Sequence, residues 1–234
     1  MEDPRDLLKQ VRISEEDKSN VDNIASKYPE VSGLQHPFHE LFPEHDRVLI
    51  EALMIDNPEH VLFEHHVLLS GLIARSHGLL SAALREIVRE DMPAVVTILR
   101  AQCETLAAAC YVEEFPEKFR SILYGNRTDG SKEKAPNVLT QVKHANKKYE
   151  GLVDDYNQLS ELAHPNAMSH FSSIRVVDEE KRVVEFSSGG QFKKEDAVVM
   201  VKQLFFWTKW FLETAKSIHE KFAEADAGGD STSS

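Results

Sequence analysis

Cysteine is nearly absent from this 234-residue sequence, which has only Cys103 and Cys110. Seven apart in an apolar helical pattern, they share a face but stand roughly 10 Å apart along the axis, out of disulfide reach. A disulfide framework is therefore excluded, and the pair is expected as buried thiols of a chain in a reducing cytoplasm. Long uncharged hydrophobic runs are missing too. The most apolar stretch, 94–112, contains Arg100 and Glu104, which marks a core helix rather than a membrane span. The opening MEDPRDLLKQ carries no apolar signal core, so no secretory leader and no membrane partner are expected. Basic charge is in deficit: 27 Lys plus Arg against 39 Asp plus Glu leave a net charge of −12. That argues against generic polyanion binding over the whole surface.

What is present is an ordinary globular composition, 41% apolar and 28% charged, at a length that buries a sizeable core. Residues 1–43 are polar and hold Pro4, Pro29, Pro37 and Pro43. They read as an N-terminal extension, with one short helix after the N-cap signal at Ser14. A helix over 44–55 is ended by Asn57-Pro58. Helical spacing of Leu68, Leu69, Leu72, Ile73, Leu80, Leu84 and Ile87 predicts a long helix over 59–90. Asp91-Met92-Pro93 restarts the chain into a helix over 94–113, antiparallel to its predecessor because the link is short.

A short helix is expected at 115–123, a loop at 124–137, and helices at 137–149 and 151–163. The valine-rich 174–186 reads as a β-hairpin around a charged turn, and 193–225 as a strong closing helix, followed by an acidic tail at 226–234. No internal repeat is found. The expectation is an all-α, antiparallel helical bundle with one inserted β-hairpin, forming one domain over 44–225. The aromatic run Phe205, Phe206, Trp207, Trp210, Phe211 exceeds a single core stripe and suggests a homodimer face.

Chemistry concentrates in two helices. Arg100 and Glu104 stand at i and i+4 in apolar surroundings; they either orient a polar group in the bundle or pair at its edge. In YNQLSELAHPNA, 156–167, Tyr156, Ser160 and His164 repeat at steps of four, with Asn166 just beyond. This stripe either lines a site with an imidazole suited to proton transfer near neutral pH, or caps a helix end. Glu161 and His164 form one ExxH element, whereas di-iron bundles use two, and the histidines around Glu64 make no complete ligand set. No metal and no cofactor are expected. Between Lys118 and Lys148, eight basic residues face two acidic ones, a local +6 (8 − 2). In that stretch Lys143, Lys147 and Lys148 lie nearest the His164 helix and could hold a phosphate backbone.

LRAQCETLAAACYV followed some fifty residues later by YNQLSELAHPNA resembles a family of uncharacterised bacterial and phage proteins. These have an Arg-x-x-x-Glu helix, a Ser-x-x-x-His-Pro segment, a short hairpin and a final helix. In layout it is similar to the HEPN superfamily of helical bundles, which includes many RNases of toxin and antiviral systems. The resemblance covers about residues 60–220. It implies a cytoplasmic protein, commonly a homodimer, that binds RNA or a nucleotide and acts as a metal-independent endoribonuclease. His164 would activate the 2′-OH, Arg100 would stabilise the phosphorane charge with Glu104 fixing it, and Ser160 would complete the catalytic group. Tyr156, Asn166, Lys143, Lys147 and Lys148 would contact the substrate. One departure is visible: Leu159, Gln158 and Asn157, five to seven residues before His164, stand where catalytic HEPN proteins place an arginine. The alternative is a non-catalytic helical module that binds a protein partner, a nucleotide or a nucleic acid; a metal-dependent bundle enzyme is a third reading.

Overall fold

A computed structural model describes residues 11–53, 64–124, 136–163, 174–178, 180–181, 183–186 and 193–229. Among these residues are eight α-helices: α1 (Glu15–Lys27), α2 (Gln35–Leu53), α3 (Glu64–Arg89), α4 (Met92–Glu114), α5 (Phe119–Tyr124), α6 (Val138–Ala145), α7 (Leu152–Ala163) and α8 (Lys194–Gly229). Two 3₁₀ turns, Pro29–Leu34 and Pro116–Lys118, link α1 to α2 and lead into α5.

The centre of the bundle is α4, which packs against α3, α6, α7 and α8. Its apolar run is explained by that position. Val95, Leu99, Cys103, Leu106, Ala107 and Ala109 are wholly buried, because neighbours cover the helix on nearly every side. Asp91 caps it, accepting from the Ala94 amide at 3.2 Å, and Pro93 sits where no intrahelical donor is needed.

The fold class is corrected in its second half: the architecture is an all-α helical bundle, and the segment at 174–186 is not part of it. The segment read as an inserted hairpin contributes only two short extended pieces, Ile174–Asp178 and Val183–Phe186. They pair antiparallel with each other, with a register shift between Val176 and Asp178. Among the described residues, neither piece has more than marginal contact with a helix. An isolated two-stranded ladder is marginal in water, and the packed helices alone define the architecture.

The N-terminal residues differ from the sequence expectation. Val21, Ile24, Tyr28, Val31, Phe38, Leu41 and Phe42 join the same core as the later helices, and the boundary drawn at residue 43 falls inside α2. Prolines suggested coil there, yet Pro43 lies within the helix. An interior proline costs about 3 kcal/mol, whereas burying two phenylalanines returns roughly 1.5–3 kcal/mol each. Tertiary burial of Phe38 and Phe42 decides the outcome. Ser14 does cap α1, accepting from the Asp17 amide at 3.0 Å, and Asp17 accepts from Ser81 of α3 at 2.6 Å.

On α8, Trp207 is 2% exposed and belongs to the core, while Trp210 stacks on Tyr149 with ring centroids 4.5 Å apart. The aromatic face expected to dimerise therefore loses Trp207 and keeps Phe206. The tail read at 226–234 begins within α8, and residues 230–234 lie outside the described residues.

Candidate functional site

Positions 100 and 104 fall on the strip of α4 that its neighbours leave partly open. The Arg100 and Glu104 side chains are 27% and 28% exposed, with Nε and Oε1 3.2 Å apart. Tyr156 of α7 closes this pair into a three-membered cluster. Arg100 Nη2 donates to the Tyr156 hydroxyl at 3.4 Å, and that hydroxyl donates to Glu104 Oε1 at 3.4 Å. The guanidinium carbon also sits 5.5 Å from the Tyr156 ring centre, within cation–π range. The Tyr156 hydroxyl foremost, with Glu104 behind it, holds the Arg100 pKa above its ordinary value against partial burial. Arg100 stays a cation throughout any accessible pH range.

Among the described residues, three buried polar atoms on these helices have no hydrogen-bond partner: Arg100 Nε, whose N–H is not aimed at the nearby carboxylate, Gln102 Oε1, and Ser160 Oγ, one turn beyond Tyr156. Unsatisfied buried donors are uncommon and call for an explanation. His164 and Asn166 lie outside the described residues; of the expected convergence of Arg100, Glu104, Ser160 and His164, the described residues bring together Arg100 and Glu104, and the residue that joins them is Tyr156.

The expected lysines do not gather here. Lys148 Nζ donates to both oxygens of Glu113, at 3.1 and 2.8 Å. Glu113 lies thirteen residues along α4 from Arg100, which is about 20 Å at 1.5 Å per residue. Lys147 and Lys148 line a separate cavity of about 270 Å³ beside Glu114, His144 and Lys221. His144 is itself bound to Glu114 at 2.6 Å. Lys143 is exposed on α6. The basic stretch is thus spread along the molecule, and part of it is neutralised by α4's last turn.

Next to the cluster, on the α3 side of α4, lies another cavity of about 280 Å³ bounded by α3, α4, α5 and α6. Glu104 and Thr105 form its α4 wall and Arg75 its α3 wall. Arg75 Nε donates to Thr105 Oγ1 at 3.0 Å, and Thr105 donates to the Ala101 carbonyl at 2.7 Å.

A fully buried polar chain was not foreseen from the sequence. Gln102 Nε2 donates to Ser76 Oγ at 2.8 Å, and Ser76 lies 3.1 Å from His45 Nε2. His45 Nδ1 is 2.8 Å from the Leu41 carbonyl. That carbonyl can only accept, so Nδ1 carries the proton and Nε2 accepts from Ser76. Burial pushes the imidazole pKa down to about 4. The signal was available in the sequence: Leu41, His45, Val48 and Ala52 share one apolar stripe. Both thiols are inert in this setting. Burial raises Cys110 to about 12 and Cys103 further still, which leaves no thiolate near neutral pH.

Among the described residues no group of three or more His, Cys, Asp or Glu side chains is placed to hold a metal ion. Compared with protein-family models, curated proteins and solved structures, the chain matches none of them.

Proposed function

We propose that this chain binds a phosphate-bearing ligand, an RNA strand or a nucleotide, along α4 and α7, as HEPN-like bundle proteins do. One observation carries the reading. Helices some fifty residues apart bring Arg100, Glu104 and Tyr156 into contact, while among the described residues the buried Arg100 Nε and Ser160 Oγ have no hydrogen-bond partner. The two 3.4 Å bonds through Tyr156 are long and readily exchanged for shorter, charge-assisted bonds to phosphate oxygens. Glu104 and Tyr156 then serve to aim the guanidinium.

His164 follows directly on Ala163, the last residue of α7. In the metal-independent reaction it takes the proton of a ribose 2′-OH as that oxygen attacks phosphorus. The 5′-oxygen leaves and takes up a proton, giving a 2′,3′-cyclic phosphate and a 5′-OH end. Arg100 stabilises the charge on the phosphorane. The test is end-labelled RNA incubated with the protein in EDTA, alongside RNA binding by anisotropy. Arg100→Ala is expected to weaken binding at least tenfold, and His164→Ala to abolish cleavage while sparing binding. RNA bound but never cut leaves a binding protein; absence of binding to any RNA or nucleotide removes the reading.

A second reading, a non-catalytic interaction module, rests on Val199 and Phe206. They are 52% and 43% exposed and lie seven residues apart on one face of α8. The homodimer belongs to this reading, and a monomer mass by light scattering at high concentration would remove it.

A further inference from the structure

The cavity on the α3 side of Glu104 has features that the phosphate-binding reading leaves unused. Its volume, about 280 Å³, is just below that of small-molecule sites, which run from roughly 300 to 1,000 Å³. That is room for a flat heterocycle with its sugar and phosphate outside. Leu72, Ile122 and Val138 supply apolar walls for the faces of such a ring, and Arg75, Glu104 and Gln141 line the same cavity from α3, α4 and α6.

Those polar groups are selective in kind. Glu104 is an acceptor-only group when ionised. Among the described residues, both its contacts, to Arg100 and Tyr156, fall on Oε1, so Oε2 is left toward other donors. Gln141 is 8% exposed and donates its Nε2 to the Pro136 carbonyl at 2.9 Å, which leaves its Oε1 as a second acceptor. Arg75 forms no ion pair among the described residues, and its Nε is committed to Thr105; its Nη groups remain as donors.

A carboxylate and an amide oxygen lining one cavity suit a ligand edge with adjacent N–H donors. Of the four bases only guanine has one, with N1–H beside the N2 amine on its Watson–Crick edge. Adenine and cytosine place a ring acceptor next to their amine, and uracil flanks its single N–H with carbonyls. Guanine also presents O6 and N7, the acceptor pair that arginine recognises most often.

We infer that this cavity is a guanine-selective base pocket, with Glu104 and Gln141 accepting from N1–H and N2–H₂ and Arg75 donating to O6 or N7. The inference rests on the phosphate-binding reading, since Glu104 serves both sites: it aims Arg100 at the phosphate through Oε1 and reads the base through Oε2. Recognition of unstacked bases by their Watson–Crick edges is the usual route to sequence selectivity on single-stranded RNA.

The experiment measures equilibrium binding of GMP, IMP, AMP, CMP and UMP to the full chain, and to Glu104→Gln and Val138→Trp. Val138 is 37% exposed, so a tryptophan there blocks the mouth without overpacking the core, and its folding is checked by thermal melting. GMP is expected to bind at least about tenfold more tightly than AMP, CMP or UMP. IMP, which lacks the N2 amine, should fall between. Glu104→Gln should erase the preference, and Val138→Trp should reduce GMP to the level of the other nucleotides. Equal binding of all five nucleotides, or a GMP preference untouched by both variants, overturns the pocket and leaves the phosphate-binding reading standing. No binding of any nucleotide or RNA overturns both.

Discussion

His45 shows how much a single residue can govern here. It is wholly buried, stacked 5.4 Å from His77 and 6.3 Å from Phe211, and its pKa falls from 6.5 to about 4 on burial. The unfolded chain therefore binds a proton that the folded chain refuses between these two values, and stability falls as pH drops through that window. At roughly 1.4 kcal/mol per unit, the loss amounts to about 3 kcal/mol. Denaturant titrations from pH 7 to pH 4 should show His45→Gln losing markedly less stability than wild type over this interval; equal slopes would sink the assignment. The Arg100–Glu104 pair makes a contrasting case. Each side chain is more than a quarter exposed, so water shares the charge and the pair is worth only about 1 kcal/mol. A double-mutant cycle with Arg100→Met and Glu104→Gln should return a coupling of that size, with Arg100→Met still folding. Loss of the fold on either change would mean that the cluster holds the bundle together.

Helix ends show what a sequence does and does not reveal at the scale of elements. The long periodic helices were readable because their apolar positions recur over many turns: 59–90, 94–113, 151–163 and 193–225 correspond to α3, α4, α7 and α8, with shifted ends. The Arg100–Glu104 pairing was readable from i, i+4 spacing. Its third member, Tyr156, could be named only as part of a stripe, since which helix faces α4 is a tertiary fact. A helix was expected over 44–55, but the proline-bearing first half of α2 was missed for the same reason, because its stability comes from burial of Phe38 and Phe42 and not from propensity. The apolar stripe marks His45 as buried, but its partners Ser76 and Gln102 lie on α3 and α4, and no local pattern pairs the three.

Glycines separate the local from the tertiary cleanly. Gly151, just before α7, has φ +91°, in the left-handed region that side chains resist. It sets the entry of the helix that carries Tyr156 and Ser160. Gly71 and Gly78 lie on exposed faces of α3, and a Cβ at either meets nothing within 4 Å. Gly151→Ala should lower stability by roughly 1–2 kcal/mol, and Gly71→Ala or Gly78→Ala should raise it by about 0.5–1 kcal/mol. Melting curves of the three variants decide the matter, and a stabilised Gly151→Ala would contradict the assigned backbone.

For the whole molecule, the question is whether α1 and the 3₁₀ turn after it are an appendage or part of one folding unit. Val21, Ile24, Tyr28 and Val31 are each no more than 4% exposed and lie in the same core as α4 and α8. Lys194 at the start of α8 bonds Glu30 at 2.7 Å, and Asp17 reaches Ser81 of α3 at 2.6 Å. Fully burying an apolar side chain contributes roughly 1.5–3 kcal/mol, so these four residues together account for about 6–12 kcal/mol. Domains of ordinary size have about 5–15 kcal/mol of net stability in all. Removing the segment would therefore consume most or all of that margin and uncover apolar faces of α3 and α8. A chain beginning at Gln35 should lack the sharp thermal transition of the full protein and associate through the uncovered surface, as calorimetry and light scattering would register. Had the segment been the polar extension that its prolines suggest, the shortened chain would melt as sharply as the full one, at nearly the same temperature. The ligand-binding reading makes the distinction consequential. Arg75 stands on α3, the helix that α1 braces, so losing the first helix should loosen the proposed base pocket even where some helical structure survives.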